Sequence, residues 1–381
     1  MKKKIAVGLS GGIDSSVAAS LLQEQGYEVT GVTMRFHVTD VVDVAQQENI
    51  QSASEVAKAL NIDYRIIDFT EQFRRIVIDY FVKGYEQGET PNPCFICNRY
   101  IKFGALWEAC KDLGFEAIAT GHYACIRYNE QKQRYQLLAN PDISKDQSYF
   151  LAGLSQTQLS HIVFPLEKYT KEQVKVIAAQ KKLPTVSRKE SQDICFVPDG
   201  EYPKVIEQFA QQRFLPGHFL STDGAILGQH KGLHYYTIGQ RRGLHISTGE
   251  PVYVCAKHAN TNAIVVGERN ALYCAHFFVR ELNIVASELL ETLQEHDVQI
   301  SVKTRYRTQA KRCIVHALLP SDYKVPNGKD VRLTPEALFR VTLLEKDFAV
   351  AQGQVAVFYG AGEVLASGII SKIEGHFSLS P

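Results

Sequence analysis

The first 200 residues alternate short apolar runs with helical patterns, and that rhythm admits few folds. Lys4–Leu9 reads as a buried strand, and 13–25 as a helix with Val17, Ala18, Leu21 and Leu22 on one face. A second strand is expected over 27–34, a helix over 50–60 with Ala53, Val56, Ala57 and Leu60 inward, and a third strand over 64–69. A further helix over 101–113 precedes a fourth strand over 116–121. Repeated βαβ units with short links require a parallel sheet covered on both faces. Ligands of such sheets bind beyond the carboxyl ends of the strands.

Beyond residue 200 the rhythm changes. Pro198, Pro203 and Pro216 and a series of glycines punctuate short strands over 251–256 and 263–266. From about 278 strands alone are expected, over 298–304, 312–319, 338–344, 354–359 and 364–370, which suggests a small β-barrel. At 381 residues the chain has room for two or three domains. The expected fold class is α/β: a Rossmann-like parallel-sheet domain over 1–200, a small central domain over 201–278 and a C-terminal β-barrel over 279–381. No internal repeat or low-complexity tract is visible.

The first βα connection is Gly8-Leu9-Ser10-Gly11-Gly12-Ile13-Asp14-Ser15. Glycines there let backbone N–H groups approach an anion, and the helix dipole favours its negative charge. Ser10, Ser15 and Ser16 add hydroxyls. A Walker A loop needs a lysine that is missing here, and the G-x-G-x-x-G spacing of a dinucleotide loop does not fit. The bland alternative is a glycine-rich turn with no ligand.

Ser10–Ser15 resembles the SGGxDS pyrophosphate loop (PP-loop) of ATP pyrophosphatases, a group that includes GMP synthetase, argininosuccinate synthetase and several tRNA-modifying enzymes. The resemblance implies ATP binding and transfer of AMP to a carbonyl oxygen, with pyrophosphate released. It implies that Asp14 helps hold a magnesium ion bridging the phosphates. It also places Met34 and Gly121, at the ends of the second and fourth strands, where an adenine would rest.

Eight cysteines in such a chain do not suggest a disulfide scaffold. Cys110, Cys125, Cys255, Cys274 and Cys313 stand singly in apolar or mixed segments and read as packing. Cys94 and Cys97 lie in Thr90-Pro91-Asn92-Pro93-Cys94-Phe95-Ile96-Cys97-Asn98, a rigid turn feeding a helix. Near a helix N-terminus the dipole is expected to lower the Cys97 thiol from about 8.5. A half zinc site is the alternative, although the second CxxC pair of a structural site is absent and no metal is expected there. With Cys195, an adenylating enzyme bearing two active thiols suggests sulfur insertion. A persulfide on one cysteine would be opened by the other, leaving a disulfide whose Cα atoms approach within roughly 4.4–6.8 Å.

Five segments then narrow the resemblance: Thr90–Asn98, Ala119–Ala124, Lys145–Leu151, Ser191–Phe196 and Gly232–Gly243. In that order, over nearly the whole chain, they resemble the tRNA-specific 2-thiouridylases. The resemblance implies thiolation of the wobble uridine of tRNAs for Lys, Glu and Gln, with Cys97 as nucleophile and Cys195 as persulfide carrier. It implies a sulfur donor, either a relay protein or a cysteine desulfurase. Asn92, Pro93 and Cys94 would lie against the target base, and His122, Lys145, Asp146, Gln147, Arg305, Tyr306 and Gln354 would contact tRNA. His122 reads equally well as a core histidine. Many members carry Asp where this chain has Cys94. A thiol there leaves two alternatives open: proton transfer by Cys94, or an iron–sulfur cluster on Cys94, Cys97 and Cys195.

Lys+Arg 42 against Asp+Glu 41 rules out a chain-wide nucleic-acid signature, so basic surface must be local. One candidate is 229–245, with His230, Lys231, His234, Arg241, Arg242 and His245 around Tyr235 and Tyr236. The other is 301–313, with Lys303, Arg305, Arg307, Lys311 and Arg312 around Tyr306. A solvated basic face is the alternative for either. An extruded uridine would suit both the stacking and the chemistry. The apolar run after Met1-Lys2-Lys3-Lys4 is too short for a signal peptide, and no stretch nears the roughly 18 apolar residues of a membrane span, so a cytoplasmic protein without membrane contact is expected. Two rivals remain. A small-metabolite amidotransferase would need a glutaminase motif, and an ATP-sensing RNA module would leave the thiols unexplained.

Overall fold

The computed structural model describes residues 3–140, 142, 145–186, 194–197, 200–319, 331–332 and 338–373. The chain divides into two compact units: Met1–Val77 with Cys94–Gly200 and Gly362–Val364, and Ile78–Pro93 with Glu201–Ala361 and Leu365–Pro381.

In the first unit, β1 (Lys4–Gly8), β2 (Glu28–Arg35), β3 (Asp63–Asp68), β4 (Ala117–Ala119) and, after the hairpin β5 (Cys125–Asn129) and β6 (Arg134–Leu138), β7 (Ile162–Val163) are laid down in chain order. Five of them form a parallel sheet in the order β3-β2-β1-β4-β7. The chain turns one way from β1 to reach β2 and the other way to reach β4. The crevice beyond the carboxyl ends of β1 and β4 is therefore the topological switch point where such sheets bind ligands. One face of the sheet buries Ile5, Val7 and Leu9 against Ala19, Leu22, Ala53 and Val56.

The first two helices depart from expectation. α1 (Ile13–Glu24) is buried all round from Ile13 to Leu22 apart from Asp14, rather than on one face. Val17, Ala18 and Leu21 pack on a second helix, Lys171–Gln180, through Val174 and Ala178. α2 (Asp40–Leu60) begins ten residues before Ile50, capped by the Thr39 hydroxyl accepting from Val42 N at 3.3 Å. Its first turns expose Val41 and Val44, so they carry no burial pattern to read.

The second unit holds a four-stranded sheet of β8 (Gly217–Leu220), β9 (Ile226–His230), β10 (Tyr253–His258) and β11 (Ala263–Gly267). Beyond it come β12 (Tyr273–Ile284), β13 (Val298–Lys303), β14 (Lys311–Leu318), the short β15 (Val331–Arg332), β16 (Leu338–Phe348), β17 (Val355–Gly360) and β18 (Glu363–Ile373). Strands β12-β16-β14-β13-β17-β18 close on themselves through a β12–β18 pairing, forming a barrel. Its core includes Phe277, Val302, Val315, Phe339, Val341 and Phe358. The expectation of strands alone after 278 is wrong at Ser287–Glu295, a helix that buries Leu289, Leu290 and Leu293.

Candidate active site

At the end of β1 the chain is pinned before it turns. Leu9 N donates to Val32 O at 2.8 Å and Leu9 O accepts from Thr33 Oγ1 at 2.6 Å. Gly11 then takes φ +72°, a region that suits glycine, and Ser52 Oγ holds its carbonyl at 3.0 Å. Ser15 Oγ and Ser16 Oγ donate to Gly12 O at 3.0 and 2.8 Å, and Ser15 Oγ accepts from Ser10 N at 3.2 Å. The hydroxyls thus shape the loop from within. Gly12 caps α1 without a side-chain hydrogen bond, so no cap side chain occupies the first N–H groups of the helix, which suits an anion.

Asp14 is braced from two distant segments. Lys171 Nζ, with its side chain 3% exposed, donates to both carboxylate oxygens at 2.7 and 2.8 Å, and Tyr123 Oη donates to one at 2.7 Å. Lys171 owes its position to a capping box in which Thr170 and Gln173 satisfy each other's backbone. Gly121 completes the crevice: a Cβ there would lie 2.7 Å from Asp14 C and from Ser15 N. Gly121 lies two residues past the end of β4, and Met34 is half-buried one residue before the end of β2. Asp14 therefore balances a buried ammonium.

The thiols sit on a helix that starts earlier than the sequence suggests. Pro93–Ile96 is α-helical, Cys97–Ala105 is π-helical and Leu106–Asp112 returns to α. The π segment bonds residues five apart, as in Leu106 N to Ile101 O. Gln158 Nε2 supports it from outside, donating to Arg99 O at 2.7 Å and Phe103 O at 2.8 Å. Lys102 then falls one π turn beyond Cys97, whereas an α-helix would carry a residue five positions on well round the cylinder.

Cys97 lies a full turn inside this helix and is 7% exposed. Burial, reinforced by the Cys94 thiol and opposed by the Lys102 ammonium, pushes it up to about 11. The expected dipole effect is overridden. Cys94 is also raised by burial, again with Lys102 opposing. Cys195 reaches solvent, yet protein surrounds it, and that enclosure together with Cys97 and Cys94 drives its thiol well above the ordinary range. Its neighbour Phe196 is buried edge-on to Phe73 at 5.7 Å, which anchors the segment. Ser191, Gln192 and Asp193 lie outside the described residues. The three thiols and Lys102 share one electrostatic neighbourhood in the first unit. All eight cysteines are free thiols, and the five read as packing are buried. Among the described residues no three His, Cys, Asp or Glu side chains stand close enough to hold a metal, so the donor set of the iron–sulfur alternative is not assembled.

His122 Nδ1 meets Thr120 Oγ1 at 2.6 Å, between Phe103 and Phe164, and burial followed by Lys102 lowers its pKa far below the usual range. Asp146 is buried: Oδ1 accepts from Asn140 N and Ser148 N, both at 3.0 Å. Gln147 Oε1 accepts from Tyr123 N at 2.9 Å, linking this turn to the Asp14 brace, and Lys145 is half-buried beside it. In the second unit, Asn92 and Pro93 are buried, Arg305 donates to Ala349 O, Tyr306 is half-buried and Gln354 Nε2 donates to Thr90 O at 2.7 Å.

The first basic patch is smaller than its sequence. His230 and His234 are each 1% exposed, Tyr236 is buried, and Glu207 of a separate helix accepts from Tyr235 Oη at 2.6 Å and meets His234 Nε2 at 2.9 Å. Lys231, Arg241, Arg242 and His245 remain exposed. In the second patch Lys303 lies over the Tyr359 ring at 5.5 Å, and Arg307 and Arg312 are exposed. Lys171, Lys102, Tyr123 and Gln158 were not identified from the sequence as site residues. The Thr170–Gln173 capping box announced a helix start, but no local signal pairs Lys171 with a residue 157 positions away.

Three family models match in succession: a tRNA methyl transferase HUP domain over 3–199, a tRNA methyl transferase PRC-barrel domain over 203–268 and an aminomethyltransferase beta-barrel domain over 275–370. They agree with a parallel-sheet domain followed by a small central domain and a barrel. The tRNA-specific 2-thiouridylase MnmA of Treponema denticola is 46% identical over 374 residues, spanning 97% of this chain and 98% of its own length. That of Desulforamulus reducens is 40% identical over 98% of both chains, and that of Carboxydothermus hydrogenoformans 39% identical over 97% of this chain and 98% of its own. No described helix is long and apolar enough to cross a membrane.

Proposed function

Because the chain belongs to the tRNA-specific 2-thiouridylase family, we propose that it replaces the 2-carbonyl oxygen of a tRNA uridine with sulfur. The observation that carries this reading is the placement of three coupled thiols, Cys94, Cys97 and Cys195, in the same unit as the Gly8–Ser15 loop. Methyl transfer, named in two of the family-model descriptions, would leave both features without a task.

ATP would supply the activation, its adenylyl group passing to the uridine oxygen as pyrophosphate leaves. Gly8, Leu9, Ser10, Gly11, Gly12, Ile13, Asp14 and Ser15 would hold the phosphates through backbone N–H groups, and Met34 and Gly121 would border the base. Cys195, accessible to solvent, would receive a sulfane sulfur from a persulfide donor, a relay protein or a desulfurase. Cys97 would then attack Cys195 Sγ. The persulfide S–S bond breaks, hydrosulfide is released and a Cys97–Cys195 disulfide forms. Hydrosulfide adds to the activated carbon and AMP departs with the oxygen. A thiol reductant reopens the disulfide. The substrates are the wobble uridines of tRNAs for Lys, Glu and Gln. They would be met by Asn92, Pro93 and Cys94 at the base, by Lys145, Asp146, Gln147 and His122 nearby, and by Arg305, Tyr306 and Gln354 of the barrel.

Nucleoside mass spectrometry of tRNA incubated with enzyme, ATP and a persulfide donor tests the reading. Wild type should yield 2-thiouridine. Cys97→Ser and Cys195→Ser should each lose it, by at least about 1000-fold, while still binding ATP. Wild-type product from either variant would sink the relay.

A further inference from the structure

We propose that Glu89 is a positioning residue for the thiol-bearing helix, acting through a strap, 84–92, that is clamped before the chain runs into Pro93 and Cys94. The strap leaves a helix (Asp79–Glu86) through a tight reversal, with Glu89 N on Gly84 O at 2.8 Å and Pro91 packed where a Gly84 Cβ would be, 2.8 Å away. Its next residues are held from three directions, all within the second unit. Arg280 Nη2 of β12 donates to both Glu89 carboxylate oxygens at 3.1 and 3.2 Å. Lys257 Nζ of β10 donates to Glu89 O at 3.2 Å and lies 5.3 Å from the Tyr85 ring centre. The turn before β17 closes the grip: Thr90 N donates to Gln352 O at 2.8 Å and Gln354 Nε2 to Thr90 O at 2.7 Å. Gly353, at φ +84°, lets this turn come close, since a Cβ would stand 2.8 Å from Glu89 Cβ and 3.0 Å from Thr90 N.

This is more restraint than a surface connection needs. Loops tolerate variation because water satisfies their backbone. Here the restraints include a half-buried carboxyl group and a buried amine, and burial is felt at both: it raises Glu89 against the pull of Arg280 and lowers Lys257 to about 7. Opening the clamp would take the Glu89 carboxylate, whose side chain is 13% exposed, away from Arg280 Nη2 and leave it without that donor, so the clamp resists opening. Three residues downstream of Glu89 come Asn92, Pro93 and Cys94, and Cys97 follows within one helical turn. A strap fixed at Glu89 and Thr90 therefore fixes the start of that helix. Its fixing groups come from both β-rich parts of the chain, which lie far along the sequence from the thiols.

The proposal rests on the thiolation reading for its kinetic arm only. Alkylation of Cys97 by iodoacetamide, followed by peptide mass spectrometry on the full-length enzyme without tRNA or ATP, is its independent arm. Glu89→Ala should speed Cys97 alkylation at least about fivefold and lower the kcat of thiolation about tenfold or more, leaving KM for ATP unchanged. Glu89→Gln, which keeps an acceptor for Arg280, should recover kcat to within about threefold. If Glu89→Ala does not fold, Arg280→Met replaces it, since it removes the one nitrogen that donates to both Glu89 oxygens and is expected to have the same effects. Alkylation and kcat equal to wild type would overturn the proposal, as would a kcat loss that Glu89→Gln shares in full. Faster alkylation without any thiolation in wild type would keep the clamp and remove the proposed function.

Discussion

The Gly8–Ser15 loop and the thiol site lie in one unit yet are prepared for opposite kinds of charge. The loop is ready for an anion: it leads into a helix N-terminus without a side-chain cap, and its carboxylate is already neutralised by Lys171 at 2.7 Å. The thiol site is prepared against charge, because burial raises Cys94, Cys97 and Cys195 together. With Cys97 near 11, only about one molecule in 10,000 carries its thiolate at pH 7. A thiol kept neutral until its partner arrives is spared adventitious oxidation, which proceeds through the thiolate. The anion cradle is preformed, whereas burial holds the thiols in their neutral form.

The comparison breaks most severely at Lys171. Lys171→Met leaves Asp14 half-exposed beside the phosphates with no ammonium to balance it, so kcat/KM for ATP should fall about 100-fold. Cys97 alkylation in the same variant should match wild type. Loss of both together would show that the two regions do not act independently.

Lys102 tests the other side. For wild type, log rate of Cys97 alkylation against pH should climb by about one per unit from 7 to 10, with no plateau near 8.5. The sign follows from the charges. Lys102 favours the thiolate, so Lys102→Met moves the inflection further up and slows alkylation at pH 8 by about tenfold. A wild-type plateau near 8.5 would mean that burial does not control this thiol.

The two regions also differ in how legible they were. The loop is written in eight consecutive residues, because a phosphate cradle is made of backbone and needs only glycines and hydroxyls at fixed offsets. A ligand site beyond the carboxyl ends of the strands followed from the alternation of strands and helices, whereas the strand order that locates the switch point is read only from the structure. The state of Cys97 was misread for two reasons. The helix begins at Pro93 rather than at the thiol, and burial is a tertiary property that no local pattern reports. The π segment that carries Cys97 and Lys102 is supported by Gln158, which lies 59 residues from one of the two carbonyls it holds. The helix Ser287–Glu295 did carry a signal in Leu289, Leu290 and Leu293, lost among strand patterns on either side. His230 and His234 counted as basic surface only because one-dimensional spacing cannot tell an inward ring from an outward one.

The smallest effect is expected at Cys94, and it decides what that residue is for. A general acid or base near neutral pH needs a pKa close to the working pH, and burial moves Cys94 the wrong way. Its thiol is therefore neutral and contributes mainly volume and a small upward push on Cys97. Removing it in Cys94→Ala should cost no more than about threefold in kcat and should slightly speed Cys97 alkylation, because one source of the raised pKa is gone. An obligatory proton carrier would instead lose about 100-fold or more on truncation. Thiolation rates for Cys94→Ala between pH 6 and 9 separate the two. A loss of the larger size that vanishes at high pH would return proton transfer to Cys94 and make the thiol site, like the loop, preformed for its charge.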